Sequence, residues 1–208
     1  ALGSQTTPDN NVAVGRIAGA ANTTGTRNTF VGGAYAKGNG AANTTGSDNS
    51  FFGVDAGGSN TTASNNTAVG AFAMKNSTSG HSNVAIGESA LTDNTTGAQN
   101  VAIGKNTMVS NTTGSQHSAL GHLALDAVTT STGNTAMGNE SLTVLTTGSY
   151  NSGFGWLSGV DVTTGSNNSF LGRDAGRTGS PGGSITTGND NIVLGDEHIT
   201  NLFCADTS

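Results

Sequence analysis

Large apolar residues recur along this chain with a period of 17 residues. The period is clearest in Asn83–Gln116, where NVAIGESALTDNTTGAQ is followed directly by NVAIGKNTMVSNTTGSQ. Each unit opens with the pattern N-x-[A/F]-[V/I/L/F/M]-G, and we number positions within a unit from its first residue, position zero. The units start at Asn11, Asn28, Asn49, Asn66, Asn83, Asn100, His117, Asn134, Asn151, Asn168 and Asn191. Such a period predicts a solenoid, in which each unit buries its apolar face only by stacking on its neighbours.

Position three carries a large apolar residue in every unit, and this column is the predicted core. Its members are Val14, Val31, Phe52, Val69, Ile86, Ile103, Leu120, Met137, Phe154, Leu171 and Leu194. Position two is mostly Ala, and its exceptions are Phe30, Phe51, Phe170, Val193 and Gly153. Because adjacent residues of a strand face opposite ways, position two is predicted to point out of the core and to meet another surface closely.

Two further columns are nearly constant within the chain. Position four is glycine in all eleven units, from Gly15 to Gly195. This indicates a turn with positive φ or a backbone crowded by the next coil. The Asn residues at position zero predict side-chain amides that stack from coil to coil, with His117 as the one break in that ladder.

The second half of a unit predicts its secondary structure less clearly. Seven units contain a T-T-G triplet, which predicts a short strand closed by a turn. Between the two strands lies a segment such as Glu88–Leu91 or His122–Leu125. This segment is either a third short strand or a single helical turn, and we favour extended structure.

The dimensions of a coil suggest assembly. A 17-residue coil at about 3.3 Å per residue has a contour of about 56 Å, enough for an interior one side chain thick. With one large apolar residue per coil, the interior is small, so the position-two column should pack against other chains. The predicted fold is therefore an all-β β-solenoid or β-roll of about eleven coils, assembled as a parallel homotrimer.

Composition narrows the class of protein. Charged residues are only 10% and aromatic residues 5%, so an enzyme with a thick core is not expected. The net charge is −6 and there is no basic cluster, so no nucleic-acid surface is expected. No apolar run approaches the roughly 20 residues of a membrane span, so no membrane insertion is expected. A single cysteine, Cys204, leaves no intrachain disulfide.

The repeat divides the chain into three parts. Residues 1–10 are predicted to be a flexible lead-in, residues 11–190 the solenoid, and residues 191–208 a terminal unit or cap. Two units are longer than the rest, with extra residues around Lys37–Ala41 and Thr178–Ser184. Insertions of this kind map to surface loops, where binding sites are common.

The motifs NVAVG, NTAVG, NVAIG (twice) and NTAMG, within Asn11–Gly195, resemble the glycine-rich shafts of bacteriophage tail fibres. More distantly, they resemble the heads of trimeric autotransporter adhesins. The closing NIVLGDEHITNLFCADTS is similar to the segment that leads into a C-terminal self-cleaving chaperone in such fibres, which would lie beyond Ser208. The resemblance implies a trimeric, extracellular virion fibre without enzymatic activity that attaches to a bacterial surface polysaccharide or outer-membrane receptor.

The candidate ligand contacts are aromatic. Trp156, Tyr150 and Tyr35, with Phe72, are the predicted glycan-binding residues, because aromatic faces pack on the apolar faces of sugars. Trp156 occupies position five, where other units carry charged residues, so it is predicted to be exposed. An equally weighted interpretation places this ring over a neighbouring chain.

No catalytic, cofactor or metal site is predicted. Asp55 and Asp174 share one phase of units seven coils apart, too far for a glycosidase pair. The four His residues lack metal-ligand spacing within one chain. The N-x-[S/T] triplets match the N-glycosylation sequon, but we interpret them as a by-product of the repeat. An ice-binding solenoid with paired Thr columns and a glycan depolymerase spike are the alternative functions, beside the adhesin head.

Overall fold

The computed structural model describes residues 2–4, 10–180, 183–196 and 198–199. These residues form an all-β, parallel β-solenoid of about nine turns, with no helix among them. Every strand has three residues. The strands are β1 (Val12–Val14), β2 (Thr29–Val31), β3 (Ser50–Phe52), β4 (Thr67–Val69), β5 (Val84–Ile86), β6 (Val101–Ile103), β7 (Ser118–Leu120), β8 (Thr135–Met137), β9 (Ser152–Phe154), β10 (Ser169–Leu171) and β11 (Ile192–Leu194).

The strands stack in chain order into one sheet of eleven, each parallel to the next. The eleven predicted coils correspond to these strands, of which the inner nine have a neighbour on both sides. The register never slips: Ala85 pairs with Ala102 and Ile86 with Ile103, and positions one to three align in the same way throughout. At about 4.8 Å per strand, the stack is about 50 Å long.

The sheet is turned the opposite way from the prediction. Position two points inward: Phe51, Ala85 and Ala102 are completely buried. Position three points outward, and nine of its eleven side chains are 37–58% exposed, while Val31 and Ile103 are half-buried. The prediction that position three is the core and position two a chain interface is therefore wrong. Positions two and eight face the same space inside the coil, and a large position-eight residue such as the fully buried Leu91 already fills it in the coils that start at residues 66 to 134.

Positions two and eight share the available volume. In the five consecutive coils that start at residues 66 to 134, position two is Ala and position eight is a large residue such as Met74 or Leu91. Where position two is Phe, position eight is glycine. A Cβ added at Gly57 would lie 2.3 Å from the Phe51 ring, and one at Gly176 would lie 2.4 Å from the ring of Phe170. A ring at position two thus occupies the space that a large position-eight residue fills in other coils.

The segment after position four forms tight turns, not a strand or a helical turn. Ser89 and Leu91 have φ values of 58° and 53°, and Ala90 N–H donates to the Gly87 carbonyl at 3.3 Å. Residues in the left-handed region alternate with ordinary ones, which reverses the chain direction within a few residues. Our preference for extended structure here is wrong. The T-T-G triplets likewise form bends and no strand.

The prediction for position four is confirmed on both counts. Gly104 has φ of 137°, and a Cβ there would lie 2.5 Å from the Gly121 carbonyl oxygen of the next coil. A side chain at this position would therefore meet unfavourable backbone geometry and a backbone atom at once.

The Asn column at position zero is a buried hydrogen-bond ladder, as predicted. Asn83 Nδ2 donates to the Gly97 carbonyl of its own coil at 2.9 Å, and Asn83 Oδ1 accepts from the backbone N–H of Asn100 at 2.9 Å. The rung between coils is thus mainly a backbone amide bound to a side-chain oxygen. Each Asn both closes its own coil and joins it to the next.

A second Asn column at position eleven was not predicted. Asn60 Nδ2 donates to Asn43 Oδ1 at 2.7 Å, and Asn111 Nδ2 to Asn94 Oδ1 at 2.8 Å. The column is interrupted at Ser77, and Asn60 Oδ1 and Ser77 Oγ are left without hydrogen-bond partners. From Val128 onward the same column is apolar.

The two insertions form surface loops. The first lies slightly earlier than predicted, in residues 33–38, because Asn39 already occupies the buried place that Ala56 has in the next coil. The second agrees with Thr178–Ser184 apart from residues 181 and 182, which lie outside the described residues. Cys204 and most of the predicted lead-in and cap also lie outside them.

Candidate functional site

The three predicted aromatic residues are exposed but do not form one site. Tyr35 is 80% exposed, Tyr150 62% and Trp156 51%. In the described part of the chain, the only exposed aromatic ring in contact with another ring is Tyr35, which meets Phe72. The predicted candidates therefore belong to separate surfaces.

Trp156 lies at the edge of the outward face of the sheet. It follows β9, two residues after the exposed Phe154 of position three. Several other coils place exposed polar side chains at position five, such as those of Glu88 and Lys105. Its indole is thus adjacent to the apolar column, which is compatible with both predicted interpretations.

Tyr150 belongs to the column just before position zero. Its backbone is left-handed with φ of 61°, and its ring covers Gly133 of the preceding coil, where a Cβ would lie 2.7 Å from Tyr150 Cδ1. Most units place polar residues such as Gln99 and Gln116 in this column with the same φ. Tyr150 is therefore an isolated ring on a polar surface.

Tyr35 stands on the first insertion loop, whose backbone is held by a buried carboxylate. Asp55 accepts the backbone N–H groups of Tyr35, Ala36, Lys37 and Gly38 at 3.0, 2.9, 3.2 and 2.7 Å. Burial alone would raise the pKa of Asp55, but these four amides lower it below its usual value. The loop backbone is thus fixed while its side chains remain in solvent.

Phe72 on the coil starting at Asn66 completes an aromatic corner with Tyr35. The two ring centroids are 6.1 Å apart and the ring planes meet at 81°. Lys75 Nζ lies 4.9 Å from the centre of the Phe72 ring. The predicted residues Tyr35 and Phe72 are therefore brought together by the structure, and Lys75 is added to them.

Lys37 approaches the same region from the loop. Its Nζ donates to Ser59 Oγ and, at 3.3 Å, to Asn76 Oδ1. Sequence reasoning missed both lysines, because they are 38 residues apart and belong to coils that are not adjacent. The longer spacing of the second unit was the available signal, since a loop that leaves the solenoid can reach past its neighbour.

The carboxylates of Asp55, Asp161 and Asp174 are bound to neighbouring groups. Asp55 is occupied by the four loop amides. Asp174 lines a polar depression with Asp161, but it is bound to Arg177 at 2.9 Å. Asp161 accepts from Ser184 Oγ at 2.7 Å and from the Thr178 backbone N–H at 3.1 Å. Both carboxylates therefore have structural partners.

The prediction that His117 breaks the ladder is wrong, because His117 replaces Asn at position zero and reproduces its bonds. Its Nε2 lies 3.0 Å from the Ser131 carbonyl, and its Nδ1 accepts the Asn134 N–H at 3.1 Å. This pattern requires a neutral ring with the proton on Nε2. Burial, opposed by these backbone contacts, lowers the pKa of His117 to about 4. Among the described residues, no three His, Cys, Asp or Glu side chains are grouped to hold a metal ion.

Only some of the threonine hydroxyl groups are free of hydrogen bonds within the solenoid. In six of the seven triplets the first Thr donates its hydroxyl to the next coil, as Thr95 does to the Thr112 carbonyl at 2.9 Å. Only the second column, which includes Thr96 and Thr113, is exposed. The sequon asparagines Asn94 and Asn111 are completely buried in the ladder. One free hydroxyl column does not provide the paired lattice considered for ice binding.

None of the described residues forms a helix that could cross a membrane. Comparison of the chain with protein-family models, curated proteins and solved structures gave no match.

Proposed function

We propose that this chain is a structural and receptor-binding segment of a viral tail fibre, without enzymatic activity, that attaches to glycans of a bacterial envelope. The observation that carries the structural part is the outward apolar column at position three. It runs over all eleven strands, from Val14 to Leu194, on one face of the sheet. A contiguous apolar surface of this length marks an interaction site.

The occupant that fits this column best is another copy of the same chain. The apolar residues repeat once per strand, so the column has a period of about 4.8 Å. A second copy in parallel register presents the same period, which lets each side chain meet the same contact in every coil. A globular partner would match this spacing only locally.

Three copies around one axis are the arrangement that we propose. Rotation about an axis parallel to the stack keeps equivalent coils at the same height and closes the assembly. The three outward faces then meet at the axis and cover one another. The position-three column takes the role that the sequence had suggested for position two, and Trp156 lies at the edge of this contact.

The test of assembly is the solution mass. Light scattering coupled to size exclusion should give about three times the chain mass of 20.4 kDa. A mass of two chains would contradict the trimer but keep the column as an interface. A monomer at micromolar concentration would overturn the structural part of the proposal.

The attachment part is supported by the exposed aromatic side chains on a surface rich in Asn and Thr. Such surfaces pack on sugar rings and hydrogen-bond their hydroxyl groups. Immobilised envelope polysaccharides from candidate host bacteria should retain the assembled protein. Retention by no such polysaccharide would overturn the attachment role, whatever the mass.

A further inference from the structure

We propose that the aromatic corner of Tyr35 and Phe72, with Lys37 and Lys75, is a binding site for an acidic saccharide. The inference rests on the proposed glycan attachment and specifies its site and ligand class. The anionic group is a carboxylate or a phosphate on the sugar, and both would meet the same two ammonium groups.

The rings provide the stacking surface. Tyr35 is among the most exposed large side chains described, and its ring stands nearly perpendicular to that of half-buried Phe72. Two rings at 81° form a corner that can contact a pyranose on its apolar face and on one edge. Elsewhere in the described chain the exposed rings of Trp156 and Tyr150 have no such partner ring.

The charges indicate an anion. The chain has a net charge of −6 and seven Lys and Arg residues. Four of these seven are in salt bridges with carboxylates: Arg27, Lys105, Arg173 and Arg177. Lys37 and Lys75 form no salt bridge within the described residues. Lys75 Nζ lies over the Phe72 ring, and Lys37 Nζ binds Asn76, the residue that follows Lys75. Two lysines without a direct carboxylate partner, next to one stacking surface, favour a ligand that carries negative charge.

The surroundings add polar groups without cancelling the charge. Ser59 and Asn76 hold Lys37 Nζ. Asp93 accepts from Asn76 Nδ2 at 2.8 Å and so reaches Lys37 only through that amide. An open depression lined by Lys37, Ala41, Ala42, Gly58 and Ser59 lies beside the lysine.

The loop is organised before any ligand binds. The buried Asp55 carboxylate fixes four consecutive backbone amides, from Tyr35 to Gly38. Little backbone entropy is then lost when a saccharide packs on the loop, which favours affinity. Because Asp55 contacts only the backbone of Tyr35 and Lys37, both side chains can be replaced without releasing the loop.

The experiment compares envelope polysaccharides before and after neutralisation. A panel of acidic preparations is immobilised untreated, after carboxyl reduction, and after dephosphorylation, and binding of the assembled protein is measured at low and high salt. We expect at least one acidic preparation to bind, and to lose about tenfold or more in affinity after one treatment. The effective treatment identifies carboxylate or phosphate as the anion.

Variants locate the site. Lys37→Gln with Lys75→Gln should abolish the preference for the untreated preparation, and Tyr35→Ala should weaken binding of treated and untreated forms alike. The matched controls are Lys105→Gln, which removes an ion-paired exposed lysine, and Tyr150→Ala, which removes an isolated exposed ring. Both controls should bind like the parent.

The outcomes separate this site from the wider proposal. Binding that survives neutralisation, or that the Lys37/Lys75 double variant retains in full, overturns the acidic-saccharide site. Loss of polysaccharide binding in Trp156→Ala alone would also overturn it while leaving glycan attachment in place. Retention of the parent by no preparation, acidic or neutral, would contradict attachment itself.

Discussion

At the scale of single residues, His117 shows which side chains the hydrogen-bond ladder at position zero can accept. Its ring replaces an amide only because neutral imidazole offers one donor and one acceptor in the required directions. A protonated ring would place a second N–H against the Asn134 amide. The folded state therefore binds a proton at His117 far less readily than the unfolded state does.

This difference predicts acid sensitivity. The pKa of His117 falls from 6.5 to about 4 on folding, so the stability it contributes is complete above pH 6.5 and is lost as the pH falls through about 4. The loss amounts to about 3 kcal/mol. His117→Asn should remove this part of the pH dependence, measured as the free energy of unfolding between pH 7 and pH 4. The exposed His122→Asn is the control, and parallel pH curves for His117→Asn and the parent would contradict the assignment.

The interruption of the position-eleven Asn column at Ser77 leads to a second prediction at this scale. Asn60 Oδ1 and Ser77 Oγ lack partners, whereas Asn residues at the same position in successive coils bond to each other, as Asn111 Nδ2 does to Asn94 Oδ1 at 2.8 Å. Ser77→Asn should join the two runs of the ladder and raise the free energy of unfolding by about 1 kcal/mol. Ser77→Val leaves the Asn60 oxygen unpaired and should give no such gain. Equal stability of the two variants would show that water already satisfies these atoms.

At the scale of the coil, the exchange of volume between positions two and eight is the main packing rule. The Phe30 ring lies against Gly19 of the preceding coil and Gly40 of its own, and Phe170 lies between Gly159 and Gly176 in the same way. A large residue at position two thus requires glycine at position eight in both coils. The rule couples residues that are far apart in one unit but in contact in the fold.

The packing rule can be tested by introducing the phenylalanine and glycine combination into a coil that lacks it. Ala102→Phe alone should overpack the interior and cost about 1–3 kcal/mol. Leu91→Gly with Met108→Gly should leave a cavity and cost more than about 2 kcal/mol. The three changes together should be less destabilising than the sum of the two sets, by about 1–3 kcal/mol in a thermodynamic cycle. Additive costs would mean that the rings do not enter the space at position eight.

Several features of the coil were predictable from the sequence and others were not. The sequence predicted the 17-residue period, the stacking at Asn83 and the crowding at Gly104, because each of these residue types recurs for a single structural reason. Strand alternation separates positions two and three but does not say which faces inward. The direction can be inferred from the pairing of phenylalanine at position two with glycine at position eight, as in Phe51 and Gly57. This pairing is visible in the sequence, but it identifies the inward face only once the contact between the two residues is known.

The candidate site was predictable in part for a similar reason. The exposure of Trp156 follows from the charged residues that share its position, and Tyr35 was marked by the longer unit. The approach of Lys37 to Asn76 depends on the path of the loop across an intervening coil. No local pattern encodes that path.

At the scale of the whole molecule, the apolar column determines the expected behaviour in solution. Replacing Ile86 and Leu120 by Lys would place six charges at the axis of a trimer, where desolvation is unfavourable. We expect this double variant to sediment as a monomer at concentrations where the parent is assembled. Replacing exposed Val144 and Thr96 by Lys, off the column, is the matched control. An unchanged mass for the double variant would show that position three is not the contact.

The unbroken register has an evolutionary consequence. Ser82 and Gln99 precede successive units with φ values of 58° and 60°, so the chain enters both coils in the same conformation. Unequal recombination between the gene segments that encode these two units, which share 10 of 17 residues, would remove or add one coil and join equivalent backbone positions. The length of the molecule can therefore change in steps of about 4.8 Å while every remaining contact is kept.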